Sequence, residues 1–326
     1  MKQFYDVFRD GVTQSVLSTF MKCRQHSKLS LDGWSRKESS PSLQFGTMTH
    51  NILEKVYGEK KRDEAPTVKE IERLIDDQIN NWFKNEGIPA NDKTAQQLEF
   101  HGAKLSALLP EYFVKWGKED FKKIQWIALE KEFTLPIQVI VGGQTRTVTI
   151  RGKRDGEYKV NPNIYLFETK TKAQIDEGTI TALLYSDFQT NIYSLALKHD
   201  YGKYPKGTRY NILRNPGSKP HKGEDLKAFS KRLQGEIQKD RDYYFIRYQI
   251  YKPKSELISF QENDLQVILQ DFVNWRLGDV PTYKNTTACM GKYGACSMLP
   301  ICFRNDYRGH HQRKKIFSEL SEMSVA

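Results

Sequence analysis

The pattern of apolar and polar positions predicts that the first third of the chain is mainly helical. Apolar residues recur every three or four positions in residues 11–24, 46–58, about 67–82 and about 93–116. The third of these segments opens with Thr67-Val68-Lys69-Glu70, which has the form of a capping box. No comparable run of strand-forming residues interrupts them.

The centre of the chain changes to the period-two alternation of β-strands. Strands are predicted at 124–135, 137–141, 145–151, 157–160 and 164–169, with turn signals at Gly142-Gly143 and Asn161-Pro162-Asn163. After them, predicted helices at 176–198, 225–241 and 261–277 alternate with predicted strands at 208–213 and 243–251. This succession predicts an α/β fold in which a mixed central sheet is flanked by helices.

Charged residues end one of the predicted central strands. Alternation along the strand after Ile164 places Glu168 and Lys170 on the same face. Folding the chain about Pro162 brings Asp155 within one residue of being opposite Glu168. Two carboxylates so placed can share a cation, and oxygen ligands favour Mg²⁺ or Mn²⁺. Lys170 would orient an attacking water and help to deprotonate it, which is the chemistry of phosphodiester hydrolysis.

Three residues elsewhere in the chain, Gln189, Tyr193 and His50, could take part in the same chemistry, but each also has a simpler interpretation. Gln189 and Tyr193 stand four residues apart on a predicted helix, where they either meet a DNA strand or place Tyr193 in the core with Gln189 at its margin. His50 follows Gly46 by one turn and shares its face with Leu53, so a core histidine is its default interpretation. A Glu-x-Lys pair alone is usually a solvated strand edge.

Taken in order, four motifs resemble those of the PD-(D/E)XK nuclease superfamily. They are Gly-x-x-x-His ending at His50, Gly-x-x-Asp-Gly around Asp155, Glu-x-Lys-Thr from Glu168, and Gln-x-x-x-Tyr from Gln189. The resemblance is to the branch that contains the RecB and AddB nuclease domains and the exonucleases of CRISPR adaptation. Arg154 departs from the pattern, because an apolar residue is more usual at that position.

The resemblance implies a restriction-endonuclease-like core and a role for each motif residue. His50, Asp155 and Glu168, together with the carbonyl of Thr169, would bind the metals, and Lys170 would be the catalytic lysine. Gln189 and Tyr193 would contact the DNA or that lysine.

The four cysteines of the chain are Cys23, Cys289, Cys296 and Cys302. In a cytoplasmic protein such a set is more often a metal site than a pair of disulfides. Structural zinc usually binds through tight Cys-x2-Cys pairs, which are absent, so the spacing favours an iron-sulfur cluster, with zinc as the alternative. The superfamily branch named above also implies a 4Fe-4S cluster held by one early and three late cysteines. Such a cluster would clasp the C-terminal segment to the N-terminal helices.

The charge of the chain favours a polyanionic partner. With 51 Lys and Arg against 40 Asp and Glu, the formal net charge is +11. No segment has the roughly 20 apolar residues of a membrane span, and the charged start is unlike a secretory signal, so a cytoplasmic location in a bacterium or a phage-infected cell is expected. The basic residues 308–315 suggest a phosphate-binding arm or, more simply, a disordered tail.

These observations predict one compact domain with three regions. Residues 1–120 would be the helical N-terminal region, 121–280 the nuclease core and 281–326 the cysteine-rich segment with its basic tail. The expected function is metal-dependent DNA cleavage, as an exonuclease of recombination, repair or phage or bacterial DNA processing. No P-loop motif is present, so single strands, DNA ends or a partner helicase are expected. The alternatives are a catalytically weak DNA-end-binding recombination adaptor and a purely structural iron-sulfur protein.

Overall fold

The structure is a computed structural model, which describes residues 4–37, 40–59, 64–86, 93–160, 162–291 and 294–321. Its helices are α1 (Val7–Asp10), α2 (Gln14–Lys22), α3 (Arg24–Leu31), α4 (Pro41–Gly58), α5 (Val68–Glu86), α6 (Lys93–Lys122), α7 (Ile180–Tyr185), α8 (Phe188–Tyr201), α9 (Leu226–Lys239), α10 (Arg241–Tyr244), α11 (Lys254–Ser259), α12 (Gln266–Leu277) and α13 (Leu299–Arg304). Its strands are β1 (Val12–Thr13), β2 (Trp34–Arg36), β3 (Gln125–Val141), β4 (Gln144–Val160), β5 (Asn163–Lys172), β6 (Thr208–Arg214), β7 (Phe245–Ile250), β8 (Met290–Gly291), β9 (Gly294–Ala295) and β10 (His310–Gln312). A π-helical turn, Phe260–Leu265, joins α11 to α12.

A mixed sheet forms the centre of the molecule, as the sequence predicts. Its strand order is β1-β4-β5-β6-β7, and β3 also pairs with β4. The β4–β5 and β6–β7 pairs are antiparallel, whereas β5 and β6 run parallel. The expected helix 11–24 is wrong at its start, because Val12 and Thr13 pair with β4 as the short parallel strand β1. Cys23 then separates α2 from α3 in an extended conformation.

Strands β3 and β4 form one long hairpin where four shorter strands were predicted. Gly142 and Gly143 turn the chain with φ of +55° and +77°, a conformation that glycine adopts without strain. The expected break between residues 151 and 157 is absent. A Cβ at Gly152 would lie 3.0 Å from the Phe133 ring, and one at Gly156 would lie 3.0 Å from Trp126. These two glycines therefore admit aromatic rings against a continuous strand.

Helices cover both faces of the sheet. On one face, the buried residues of helices α2, α8 and α12 pack against those of strands β3, β4 and β5. On the other face, a second hydrophobic core is formed by helices α4, α5, α6 and α9. The predicted helix 176–198 is interrupted, because Asp187 accepts from the backbone N–H of Gln189 and thereby caps a new helix, α8. None of the helices within the described ranges is long and apolar enough to cross a bilayer.

The basic segment 308–315 is ordered, so its interpretation as a disordered tail is wrong. Strand β10 pairs antiparallel with β2, and the His310 ring lies 2.9 Å from the Ser297 carbonyl oxygen through its Nε2. The guanidinium of Arg313 donates to the Ser30 carbonyl at 2.6 Å. These contacts tie the C-terminal segment to the region around α3. The whole segment 308–315 to which the two interpretations applied lies within the described residues.

Candidate active site

The β4–β5 hairpin places the two predicted carboxylates side by side. The β4–β5 ladder ends at the pair Gly156–Phe167, and the residues that follow in the same register are Asp155 and Glu168. The backbone N–H of Thr169 donates to Asp155 Oδ2 at 2.8 Å, which fixes the orientation of that carboxylate. The strand register and the hydrogen bond from Thr169 to Asp155 therefore hold Asp155 and Glu168 next to each other on the sheet.

Lys170 links this pair to helix α8. Its Nζ lies 2.7 Å from Glu168 Oε1 and donates to Gln189 Oε1 at 2.7 Å. The Gln189 amide in turn donates to the Tyr193 hydroxyl at 2.9 Å. Tyr193 is only 8% exposed and packs edge-on against Phe133, so it lies in the core as its simpler interpretation held. Gln189 is thus the residue that connects the core to the lysine.

Glu168 is a buried carboxyl group whose ionised form is only partly compensated. The residue is 2% exposed, and its Oε2 atom has no hydrogen-bond partner. Burial and the neighbouring Asp155 together raise the pKa of Glu168 to about 8, even though Lys170 lowers it. Burial also raises the pKa of Asp155. A cation beside these oxygens would satisfy the free oxygen and favour both ionised forms, so the donor set fits a divalent metal.

His50 lies beside these carboxylates, with a side chain that is only partly buried. Its Nδ1 lies 3.5 Å from Asp155 Oδ2 and 3.8 Å from Glu130 Oε1. Burial alone would lower the pKa of His50, but the carboxylates of Asp155, Glu130 and Glu168 outweigh it and raise the pKa to about 9. Gly46 makes the approach possible, since a Cβ there would lie 3.1 Å from Thr171 Oγ1 on strand β5. One ligand atom each from His50, Glu130 and Asp155 lies within 4.8 Å of the others.

Glu130 is the site residue that sequence analysis missed. It sits opposite Asp155, between the pairs Leu129–Gly156 and Lys131–Arg154. The register shifts between Trp126 and Ala128, and Glu130 has φ of +44°, which is rare outside glycine. Such a conformation costs on the order of 1–3 kcal/mol and persists where the surroundings enforce it. The sequence showed an acid in a strand beside Asp155, but it carried no sign of the bulge.

Arg154, the departure from the family pattern, lies in a buried ionic cluster. Its guanidinium is 2.5 Å from Glu157 Oε1 and 2.5 Å from Asp200 Oδ2, and it lies over the Phe133 ring. The side chains of Arg154 and Glu157 are both fully buried. An arginine therefore replaces an apolar residue here without leaving its charge unpaired.

All four cysteines line one cavity between the α2–α3 junction and the C-terminal segment. His26 of α3 joins them, with its Nδ1 3.5 Å from the Cys296 sulfur. The cysteine sulfurs do not form a group of three within 4.8 Å among the described residues. A zinc site with Zn–S bonds of about 2.3 Å would hold its sulfurs about 3.8 Å apart, closer together than any three of them stand among the described residues.

Comparison with known proteins places this geometry in a family. The model of the PD-(D/E)XK nuclease superfamily matches residues 12–303. Among solved structures, the crystal structure of SSO0001 is 12% identical, with a TM-score of 0.29 over 74% of this chain and 89% of that chain. Protein VC1899 from Vibrio cholerae is 14% identical, with a TM-score of 0.16 over 69% of this chain and 56% of that chain. No curated protein matches the chain.

Proposed function

This chain belongs to the PD-(D/E)XK nuclease superfamily, and we propose that it is an exonuclease that hydrolyses DNA from strand ends. Membership supports the broader function, a nuclease that uses a divalent metal and acts on DNA. The observation that carries the proposal is the buried, unpartnered Oε2 atom of Glu168, between Asp155 and the ammonium group of Lys170.

The residues that would hold the metal are His50, Asp155 and Glu168, with the carbonyl of Thr169. Oxygen atoms dominate this set, which favours Mg²⁺ or Mn²⁺ over softer ions. When bound, such an ion polarises a phosphoryl oxygen and neutralises the charge that develops during displacement. The His50–Glu130–Asp155 group supports the assignment because it places three ligand atoms together.

Lys170 holds and orients the attacking water in this proposal. Burial would lower its pKa, but Glu168 and Asp187 outweigh burial and raise it, so the side chain keeps its proton. A charged Lys170 stabilises negative charge on the phosphate and donates to the water rather than accepting its proton. Gln189 restrains the lysine and can meet the strand, and the buried Tyr193 supports Gln189 from below.

The substrate in this proposal is a single strand or a DNA end. The net charge of +11 supports a nucleic-acid partner. The chain has no P-loop motif, so duplex substrates would need a helicase or recombination partner to open them. Recombination, repair and phage or bacterial DNA processing are the settings in which such an exonuclease would act.

The cysteine cavity is proposed to hold an iron-sulfur cluster of the 4Fe-4S type. Cys23, Cys289, Cys296 and Cys302 would each supply one thiolate, and the proposal is supported by their lining one cavity and by the absence of a Cys-x2-Cys pair from the sequence. The cluster would join α2 and α3 to α13. Its role would be structural, because the cysteines lie on other elements than the acidic pair.

Digestion of end-labelled DNA with Mg²⁺ or Mn²⁺ tests the nuclease proposal. Asp155→Ala, Glu168→Ala and Lys170→Ala should each remove nearly all cleavage while circular dichroism shows an intact fold. Glu99→Ala, at an exposed position of α6, is the matched control and should cleave normally. Robust cleavage by two of the three site variants would overturn the assignment. DNA binding without cleavage by the unaltered protein would instead favour the end-binding adaptor.

Anaerobic purification tests the cluster. The protein should be brown and contain iron with acid-labile sulfide, and Cys23→Ser should lose both colour and thermal stability. Stoichiometric zinc without sulfide would identify the alternative metal. A metal-free protein with four titratable thiols, whose stability is unchanged by Cys23→Ser, would contradict the proposal that a metal group joins the cysteines.

A further inference from the structure

Three loops at one end of the central sheet enclose a groove that no part of the proposed chemistry uses. They are the β4–β5 turn at Pro162 and Asn163, the α8–β6 loop 203–206, and the segment 251–254 that follows β7. The groove has a volume of about 660 Å³. We propose that this groove binds single-stranded nucleic acid and guides it to the active site, an inference that rests on the proposed nuclease function.

The lining of the groove is basic and contains no carboxylate among the described residues. Four lysines line it: Lys203, Lys206, Lys252 and Lys254. Lys203, Lys206 and Lys254 are exposed and make no ion pair within the described chain. A concave surface of one sign concentrates phosphate groups more strongly than scattered lysines do. The charge of the groove therefore selects a polyanion.

Two tyrosines give the groove a surface on which bases can stack. Tyr251 is 56% exposed, whereas Tyr204 is partly buried against the core. Gly207 leaves room for the Tyr251 ring, since a Cβ there would lie 3.0 Å from the ring. Exposed aromatic rings beside lysines are the features that bind unpaired bases and their phosphates together. A duplex would keep its bases stacked and out of reach, so the groove fits a single strand.

The groove is preformed. Each of its three loops contains a proline, at Pro162, Pro205 and Pro253, which restricts the backbone before any ligand arrives. The backbone N–H of Lys206 donates to the Ile164 carbonyl at 2.8 Å, which ties the second loop to strand β5. Binding therefore requires little ordering of the loops.

Contacts connect the groove to the active site. Lys252 donates to Asn191 of α8 and lies over the Tyr185 ring. Asp187, whose charge acts on Lys252, lies 3.6 Å from the Nζ of Lys170. Along strand β5, Ile164 at the groove is four residues from Glu168, which is about 13 Å. A strand bound in the groove is thus within a few nucleotides of the proposed site of cleavage.

Binding of fluorescein-labelled 30-nucleotide oligothymidine to an inactive Asp155→Ala background tests the inference. The triple change Lys203→Gln, Lys206→Gln and Lys254→Gln should raise Kd at least tenfold and reduce the salt slope by about 2, because each phosphate contact in a single strand contributes about 0.7. Tyr251→Ala should raise Kd roughly fivefold or more, and Tyr251→Phe should restore it. The matched control carries Lys222→Gln, Lys227→Gln and Lys231→Gln, in and just before α9 on the other face of the sheet, and should change Kd less than twofold.

Two outcomes would overturn the proposal that the groove binds single-stranded nucleic acid. Groove and control variants could show the same Kd and salt slope, or the groove variant could lose affinity for a duplex alone. Cleavage of a dinucleotide by the groove variant in the active background should stay close to that of the parent, since a dinucleotide is too short to span the roughly 13 Å to the groove and the metal ligands are intact. Failure of the parent protein to cleave any DNA would overturn the proposed nuclease function instead. The comparison of Kd values would still decide whether the groove binds a single strand.

Discussion

Removing the charge of Glu168 should stabilise the metal-free protein while it abolishes cleavage. Glu168→Gln keeps the shape of the side chain, and it replaces a buried carboxylate whose pKa is raised to about 8 by an amide that never ionises. Each pKa unit corresponds to about 1.4 kcal/mol. The proposed metal ligand Glu168 is thus expected to lower the stability of the fold that carries it.

The direction of the pH dependence follows from proton release. Below pH 4.5 the folded and the unfolded chain both hold the proton of Glu168, and its burial then carries no charge penalty. As the pH rises from 4.5 to about 8, the unfolded chain releases the proton and the folded chain retains it, so wild-type stability falls. The penalty that Glu168→Gln removes is about 2–4 kcal/mol at pH 8 and less than about 1 kcal/mol at pH 5.

Thermal unfolding with chelator checks this prediction. At roughly 2 °C per kcal/mol, Glu168→Gln should raise Tm by about 4–8 °C at pH 8 and by less than about 2 °C at pH 5. Adding Mg²⁺ should raise the wild-type Tm and leave that of the variant nearly unchanged, because the ion binds the ionised form. Glu99→Gln makes the same chemical change at an exposed position and should have no effect. A variant no more stable than wild type at pH 8, or equally stabilised at both pH values, would refute the reasoning.

Two further predictions concern Glu130 and Arg154. Glu130→Gln should weaken Mn²⁺ binding measured by calorimetry at least tenfold, about 1.4 kcal/mol, because it removes one of the three clustered ligands; a Kd equal to that of wild type would exclude Glu130 from the metal site. Arg154→Leu should lower the free energy of unfolding in urea by about 3–5 kcal/mol, because Glu157 and Asp200 lose their cation in the interior. Arg308→Leu breaks the exposed pair with Asp306 and should leave the free energy of unfolding nearly unchanged, so equal losses for the two arginines would contradict the burial argument.

The sequence predicts the part of the site that depends on strand alternation and turn position. Alternation places Glu168 and Lys170 on one face, and a turn at Pro162 is enough to bring Asp155 opposite. Those rules are local, so they survive in the folded protein. Asn161, which completes the predicted turn, lies outside the described residues.

What the sequence does not predict depends on contacts between distant segments. Glu130 faces the site because a bulge shifts the register of β3, and a bulge depends on pairing with β4. Val12 and Thr13 look helical by pattern but join the sheet, because β4 offers them an open edge. His50 has an apolar face in sequence, and only the packing of α4 against β5 turns it toward Asp155.

The position of the cysteines sets an order of events during synthesis. Cys23 lies beside Cys302 in the folded protein, although roughly 280 residues separate them along the chain. At about 5–20 residues per second, a ribosome needs on the order of 15–55 s to make that stretch. Until Cys289 is made, Cys23 has none of the other three cavity cysteines, and by then the strands that carry Asp155 and Glu168 have been synthesised. The nascent protein therefore acquires its acidic residues before its cysteine cavity is complete, and any cofactor for the cavity can be inserted only into a nearly complete chain.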